Sequence, residues 1–155
     1  MIVYRVTKER YAEDLSGKGA ERFGGRWNNK GVPVVYTSEH RSLCLLEMLV
    51  RTPTDVIPKD LVLVEIFIPD DCSTYFISKD ELPQSWKSFP HDRFMKQIGD
   101  ELLIAKKHLV IKVPSVLVEN EYNYLINPFH EQVSGASVNE VKSLDLDARF
   151  FEFRV

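Results

Sequence analysis

The chain has 155 residues, 44% of them hydrophobic and 11% aromatic, enough for one domain with a sizeable core and too few for two. A formal charge of -3 leaves no basic footprint, which argues against a protein whose main task is to grip nucleic acid or an anionic membrane. Two cysteines, Cys44 and Cys72, lack paired spacing and a histidine cluster, so no metal is expected and both read as ordinary thiols.

The opening MIVYRVTKE has none of the charged start, long apolar core and small-residue cleavage site of a signal peptide, and no apolar run approaches a membrane span. The expected location is the cytoplasm. Short β-branched and aromatic runs predict strands at Ile2 to Val6, Val34 to Thr37, Leu61 to Ile68, His108 to Val113, Ser115 to Val118, Tyr122 to Ile126 and Phe150 to Val155. A first helix is predicted over Glu39 to Arg51, with Ser38 as N-cap, Glu39 in the first turn and Pro53 as the stop. The segment from Pro69 to Pro90 reads as a long surface excursion. A second helix is predicted over Asp92 to Lys106, with Phe94, Ile98, Leu102 and Ala105 as its apolar stripe. The first helix is apolar nearly all round, so it is expected to be the more central. Strands come in clusters rather than alternating with helices, which predicts an α+β domain over residues 1–155 rather than a doubly wound parallel sheet. No Walker or Rossmann glycine pattern follows a strand.

Between Leu43 and Val50 every residue except Glu47 is hydrophobic, and Leu43, Leu46, Glu47 and Val50 share one helix face. Glu47 is therefore expected to be at least partly buried. A buried carboxylate costs several kcal/mol unless it is paired or hydrogen-bonded, so a polar partner must meet it in the fold. In the turn GGRWNNKG, Gly24, Gly25 and Gly31 permit tight backbone geometry, and Arg26 offers a planar fork of donors suited to phosphate or carboxylate. Spacing alone slightly favours the plainer alternative, an Arg26–Glu47 ion pair, with Trp27 as packing; a non-catalytic binding module in which the two merely pair is the reading from another class. Tyr36 ends a predicted strand just before the helix, where its ring can line a cleft or simply sit half buried. Ser115, in KVPSVLVENEYNYLINPFH, has no nucleophile elbow around it and reads as a turn hydroxyl. Asn123 and Asn127 read as residues that tie backbone groups in turns, and His130 as a hydrogen-bonding strut. Glu65, in mid-strand, is explained by an edge or solvent-facing position.

The blocks GGRWNNKGVPVVYTSEHRSLCLLEML, IGDELL and VPSVLVENEYNYLINPFH together resemble the RES domain family, the toxin half of bacterial RES-Xre toxin-antitoxin pairs. The resemblance covers nearly the whole chain and places the family's functional arginine, tyrosine, glutamate and serine on Arg26, Tyr36, Glu47 and Ser115. It implies an ADP-ribosyltransferase-like fold with a mixed, mostly antiparallel central sheet and flanking helices. It further implies cleavage of the nicotinamide–ribose bond of NAD by hydrolysis or phosphorolysis, or transfer of ADP-ribose to a protein. NAD would be the substrate, with no separate cofactor. Glu47 would stabilise the oxocarbenium-like centre, Arg26 and Ser115 would support it and bind substrate, and Tyr36 would stack on nicotinamide or the adjacent ribose. The implied partner is an Xre-like antitoxin with a helix-turn-helix that covers the active site. A homodimer is left open, and no nucleic-acid or membrane contact is implied.

Overall fold

The computed structural model describes residues 1–53 and 59–152. Seven strands form one sheet in the order β4-β5-β6-β2-β1-β3-β7: β1 (Ile2–Lys8), β2 (Val35–Ser38), β3 (Leu61–Phe67), β4 (Thr74–Phe76), β5 (Val110–Pro114), β6 (Tyr122–Ile126) and β7 (Ser137–Ser143). All described pairings are antiparallel except β4 with β5. This is the mixed, mostly antiparallel α+β architecture that the sequence predicts.

Alternation along the strands sends side chains to two faces. Val3, Val64, Ile66, Val110 and Ile126 form one core. Ile111, Val113 and Leu125 build the other, together with Trp27, Trp86, Met95 and Leu103. Among the described residues three helices flank the sheet before the C-terminal turn: α1 (Lys18–Phe23), α2 (Arg41–Leu49), which packs on β1 and β2, and α3 (Arg93–Ala105). The short α4 (Arg149–Glu152) follows β7.

Several predicted elements change identity. Ser115 to Val118 is a bent turn rather than a strand, because the Ser115 hydroxyl accepts from the backbone N–H groups of Leu117 and Val118. The predicted strand from Phe150 opens as helix α4, and residues 153–155 lie outside the described residues. The Pro69–Pro90 excursion contributes β4 to the sheet and sends Ile77 and Trp86 into the core. Strand β7 escapes the sequence because every residue but Val138 in it is exposed, so no apolar run marks it.

The helices also shift. Helix α2 starts at Arg41, two residues later than predicted, because Ser38 and Glu39 stay bound to the sheet: Glu39 N–H donates to the Tyr122 carbonyl, and Tyr122 N–H donates to Glu39 Oε1. In α3 Asp92 accepts from Phe94 N–H as N-cap, and the buried face is Met95, Gly99 and Leu103, one position round from the predicted stripe. Glycine is required there, since a Cβ on Gly99 would lie 1.8 Å from the Trp27 carbonyl oxygen. Helix α2 is not buried all round, since Leu46 and the C-capping Val50 are exposed.

Candidate active site

Strands β1 and β2 are joined at a single register pair, Tyr4 with Ser38. Beyond it β1 continues on β3 alone and β2 on β6 alone, so the sheet opens between them. The opening is a cleft of about 390 Å³, within the rough range of 300–1,000 Å³ for small-molecule sites. Arg5 and Thr7 line it from β1, Tyr36 and Ser38 from β2, Cys44, Glu47, Met48 and Arg51 from α2 and its end, Asn123 from β6, and Lys18 with Gly24 and Gly25 from α1 and the turn after it.

Glu47 is in this cleft, with 19% of its side chain exposed. Asn123 Nδ2 donates to its Oε1 at 2.7 Å, and Arg51 Nη2 donates to its Oε2 at 3.3 Å, as an i,i+4 ion pair. Ser38 Oγ in turn donates to Asn123 Oδ1 at 2.6 Å. The polar partner required by the apolar helix is therefore supplied by β6. An Arg26–Glu47 ion pair is not formed: one helical turn brings Arg51 to Glu47 first.

Arg26 Nη1 donates to the carbonyls of Trp86 (2.7 Å) and Ser88 (3.2 Å). Burial lowers the Arg26 pKa, the Glu47 carboxylate opposes that shift, and the Arg51 guanidinium adds to it. His91 belongs to the same neighbourhood. Its pKa is lowered by burial and then by Arg26, Lys96 and Arg51, and its Nδ1 is buried with no hydrogen-bond partner among the described residues.

Tyr36 works on the glycine turn. Its hydroxyl accepts from Trp27 N–H at 3.0 Å and donates to Asn28 Oδ1 at 2.8 Å. Asn28, fully buried, spends its amide protons on the carbonyls of Ala20, Asn29 and Val32. Gly25 is demanded by this arrangement, because a Cβ there would lie 2.5 Å from the Tyr36 hydroxyl. Burial pushes the Tyr36 phenol well above its ordinary range. Above the ring the Arg51 guanidinium is 5.6 Å from the centroid, a cation–π placement.

Of the four residues singled out, Glu47 and Tyr36 line the cleft, Arg26 lies within electrostatic reach of both, and Ser115 is 3% exposed in its turn at the end of β5, outside the lining. Arg5 and Arg51 were not marked by local pattern, and Ser38 and Asn123 were read for other roles: Asn123 does not tie a turn but lies inside β6, where the β2–β6 register sets its side chain between Ser38 and Glu47. Arg5 is held by the Asp14 carbonyl (2.6 Å) and the Thr7 hydroxyl (3.4 Å), and burial lowers its pKa. Asn127 and His130 hold turns as predicted: Asn127 bridges the Leu103 carbonyl and Phe129 N–H, and His130 Nδ1 accepts from Gln132 N–H. Glu65 is not at a free edge; β3 lies between β1 and β7, and hydrogen bonds from Arg41 and Asn139 hold its carboxyl below the usual range.

The family model described as the RES domain matches residues 2–148. The chain belongs to the RES domain family. A relative from Sphingobium sp. (strain YBL2), named Prs ADP-ribosylating toxin, is 36% identical over 140 residues, spanning 89% of this chain and 87% of that protein. A relative from Photorhabdus laumondii subsp. laumondii, named Toxin Res, is 36% identical over 156 residues and 96% of each chain. One from Yersinia enterocolitica, also named Toxin Res, is 36% identical over 132 residues, 84% of this chain and 86% of that one. A chain of the M. tuberculosis MbcT-MbcA toxin-antitoxin crystal structure superposes with a TM-score of 0.72 over 99% of this RES domain and 88% of its own length, at 18% identity, a likeness of fold. Among the described residues no helix is long and apolar enough to cross a membrane.

Proposed function

We propose that the cleft between β1 and β2 binds NAD and that the protein breaks the nicotinamide–ribosyl bond. The observation that carries this reading is the Glu47 carboxylate, set in a cleft of ligand size and met by donors from two elements. Bond cleavage sends the C1′–N electron pair to nicotinamide, which leaves neutral, and positive charge develops on the ribosyl centre. A fixed anion beside that centre lowers the barrier. Glu47 supplies the anion. Arg5, Lys18 and Arg51 face the same space and suit the diphosphate. The Tyr36 ring, under the Arg51 guanidinium, offers a flat face on which the positively charged nicotinamide ring can take that guanidinium's place. Arg26 adds positive charge within electrostatic reach of Glu47 while its bonds to the Trp86 and Ser88 carbonyls fix the glycine turn. Ser115 enters only through the turn it closes.

Water or phosphate adding to the ribosyl carbon gives ADP-ribose or its 1″-phosphate. A protein nucleophile gives an ADP-ribosylated acceptor, a second reading favoured by the name of the Sphingobium relative. Both begin with the same bond, and both fit a toxin silenced by an antitoxin seated over the cleft, as the toxin-antitoxin complex of similar fold suggests. The test is NAD consumption by purified protein, with and without phosphate, products resolved by chromatography, and labelled NAD used to detect protein modification. Glu47→Gln keeps the shape and removes the charge. It is expected to abolish turnover and leave the fold intact; retained turnover would reduce Glu47 to a structural role.

A further inference from the structure

We propose that Asn123 is a positioning residue for the reaction: it pins one carboxylate oxygen of Glu47 to the sheet, and Ser38 holds Asn123 in the orientation that does so. This rests on the NAD-cleaving reading above. Ser38 and Asn123 are direct partners in the β2–β6 register, adjacent to the opening between β1 and β2. Their side chains form a chain of one polarity, Ser38 O–H to Asn123 Oδ1 at 2.6 Å and Asn123 N–H to Glu47 Oε1 at 2.7 Å. A carboxylate accepts only, so it can be met only by the amide's nitrogen. The carbonyl end must then find a donor, and Ser38, 3% exposed, is the side chain that provides it. Reversing the amide would set its oxygen against the carboxylate and break the contact.

The two oxygens of Glu47 are thereby made unequal. Oε1 is tied to a strand in the interior of the sheet. Oε2 meets Arg51, a long side chain just past the end of α2 with 59% of its surface exposed, which can swing aside. The pinned oxygen sets the direction in which the other faces the cleft, and a developing ribosyl cation is stabilised only by an anion already in place. Asn123 acts through Glu47 and needs no contact with substrate.

Removing a hydrogen bond to a charged group is worth about one to two decades of rate if the bond matters chiefly in the transition state. Asn123→Ala is expected to lower kcat about 10- to 100-fold with KM for NAD changed by no more than about twofold. Asn123→Asp, isosteric but presenting oxygen to Glu47, is expected to be at least as slow, and Ser38→Ala to fall between wild type and Asn123→Ala. Kinetics are measured on protein verified as folded by circular dichroism; Ser38→Ala, which leaves both other groups in place, carries the test if Asn123→Ala does not fold. A second readout needs no turnover: the Asn123 side-chain amide pair in the nitrogen-15 spectrum, identified by its absence from Asn123→Asp or Asn123→Ala. Its two protons are expected to be widely split, and Glu47→Ala is expected to collapse the splitting. Wild-type kcat in folded Asn123→Ala, or an amide pair indifferent to Glu47→Ala, overturns the proposal. A wild-type protein that neither consumes NAD nor modifies protein overturns the NAD reading and with it the catalytic role of Asn123, whereas the amide spectrum alone decides whether the contact exists.

Discussion

Tyr36→Phe separates two uses of one side chain. The ring face that a flat ligand would stack on survives the change, while the hydroxyl that organises the glycine turn is lost. Two groups then lose their partner, the Trp27 N–H at 3.0 Å and Asn28 Oδ1 at 2.8 Å, on residues that are 2% and 0% exposed. Leaving a buried polar group unsatisfied costs about 1–3 kcal/mol, so the pair predicts a loss of about 2–6 kcal/mol. For a chain of this length that lowers Tm by about 4–24 °C. Urea unfolding followed by tryptophan fluorescence is well suited to the measurement, since Trp27 and Trp86 belong to one core cluster; the midpoint should fall and the slope stay constant. The loosened turn carries Arg26, so KM for NAD is expected to rise as well. Tyr36→Leu removes the ring too and should cost further affinity. A Tyr36→Phe protein within about 0.5 kcal/mol of wild type, with unchanged KM, would refute the argument that the hydroxyl builds the turn.

Arg26→Ala removes a cation within electrostatic reach of Glu47 and the bonds to the Trp86 and Ser88 carbonyls; titration of rate against NAD is expected to show a higher KM together with a lower kcat, and an unchanged curve would take Arg26 out of the site. Cys44 lines the cleft, but burial pushes its thiol up to about 12, so mass spectrometry should find it resistant to iodoacetamide at pH 8 in the folded protein and promptly alkylated in urea. His91 has its folded pKa below the ordinary value of 6.5 because of burial and three nearby cations. The unfolded chain therefore takes up the proton first, and stability should decline as pH falls below about 6.5, with no further loss from this group once pH passes the folded pKa. His91→Gln should flatten that decline in urea titrations between pH 7 and pH 5, and a parallel decline would assign it to other groups.

Most of the sheet was legible because strands with apolar faces announce themselves. Ile2, Leu61 and Tyr122 open strands close to where the pattern places them. Strand β7 is the counter-example, an exposed edge whose partner β3 supplies the hydrogen bonds that its own composition does not advertise. The stripe on α3 was misplaced for a different reason. Pattern reading counts large apolar side chains, whereas the closest packing is made by Gly99, where having no side chain lets the helix approach the Trp27 backbone. In the site, local sequence marked Glu47 because a lone carboxylate among leucines is conspicuous, and marked the turn because its glycines are. It read Asn123 as a turn residue, because nothing local shows that a polar residue in a strand will meet a helix; the register that put it opposite Ser38 decided that.

By itself the sequence determined the α+β class, the helix that carries Glu47, the turn that carries Arg26 and the resemblance to RES domains, all of which depend on residues close together along the chain. Tertiary structure decided what those residues touch. The partner of Glu47 comes from a position 76 residues away, and Arg26 is held by carbonyls 60 and 62 residues away. The cleft exists because β1 and β2 share one register pair and then part to different neighbours. Hydrogen bonds and clefts of this kind are set by which strands pair and in what register, a choice made by the packing of the whole chain and carried by no local run of residues.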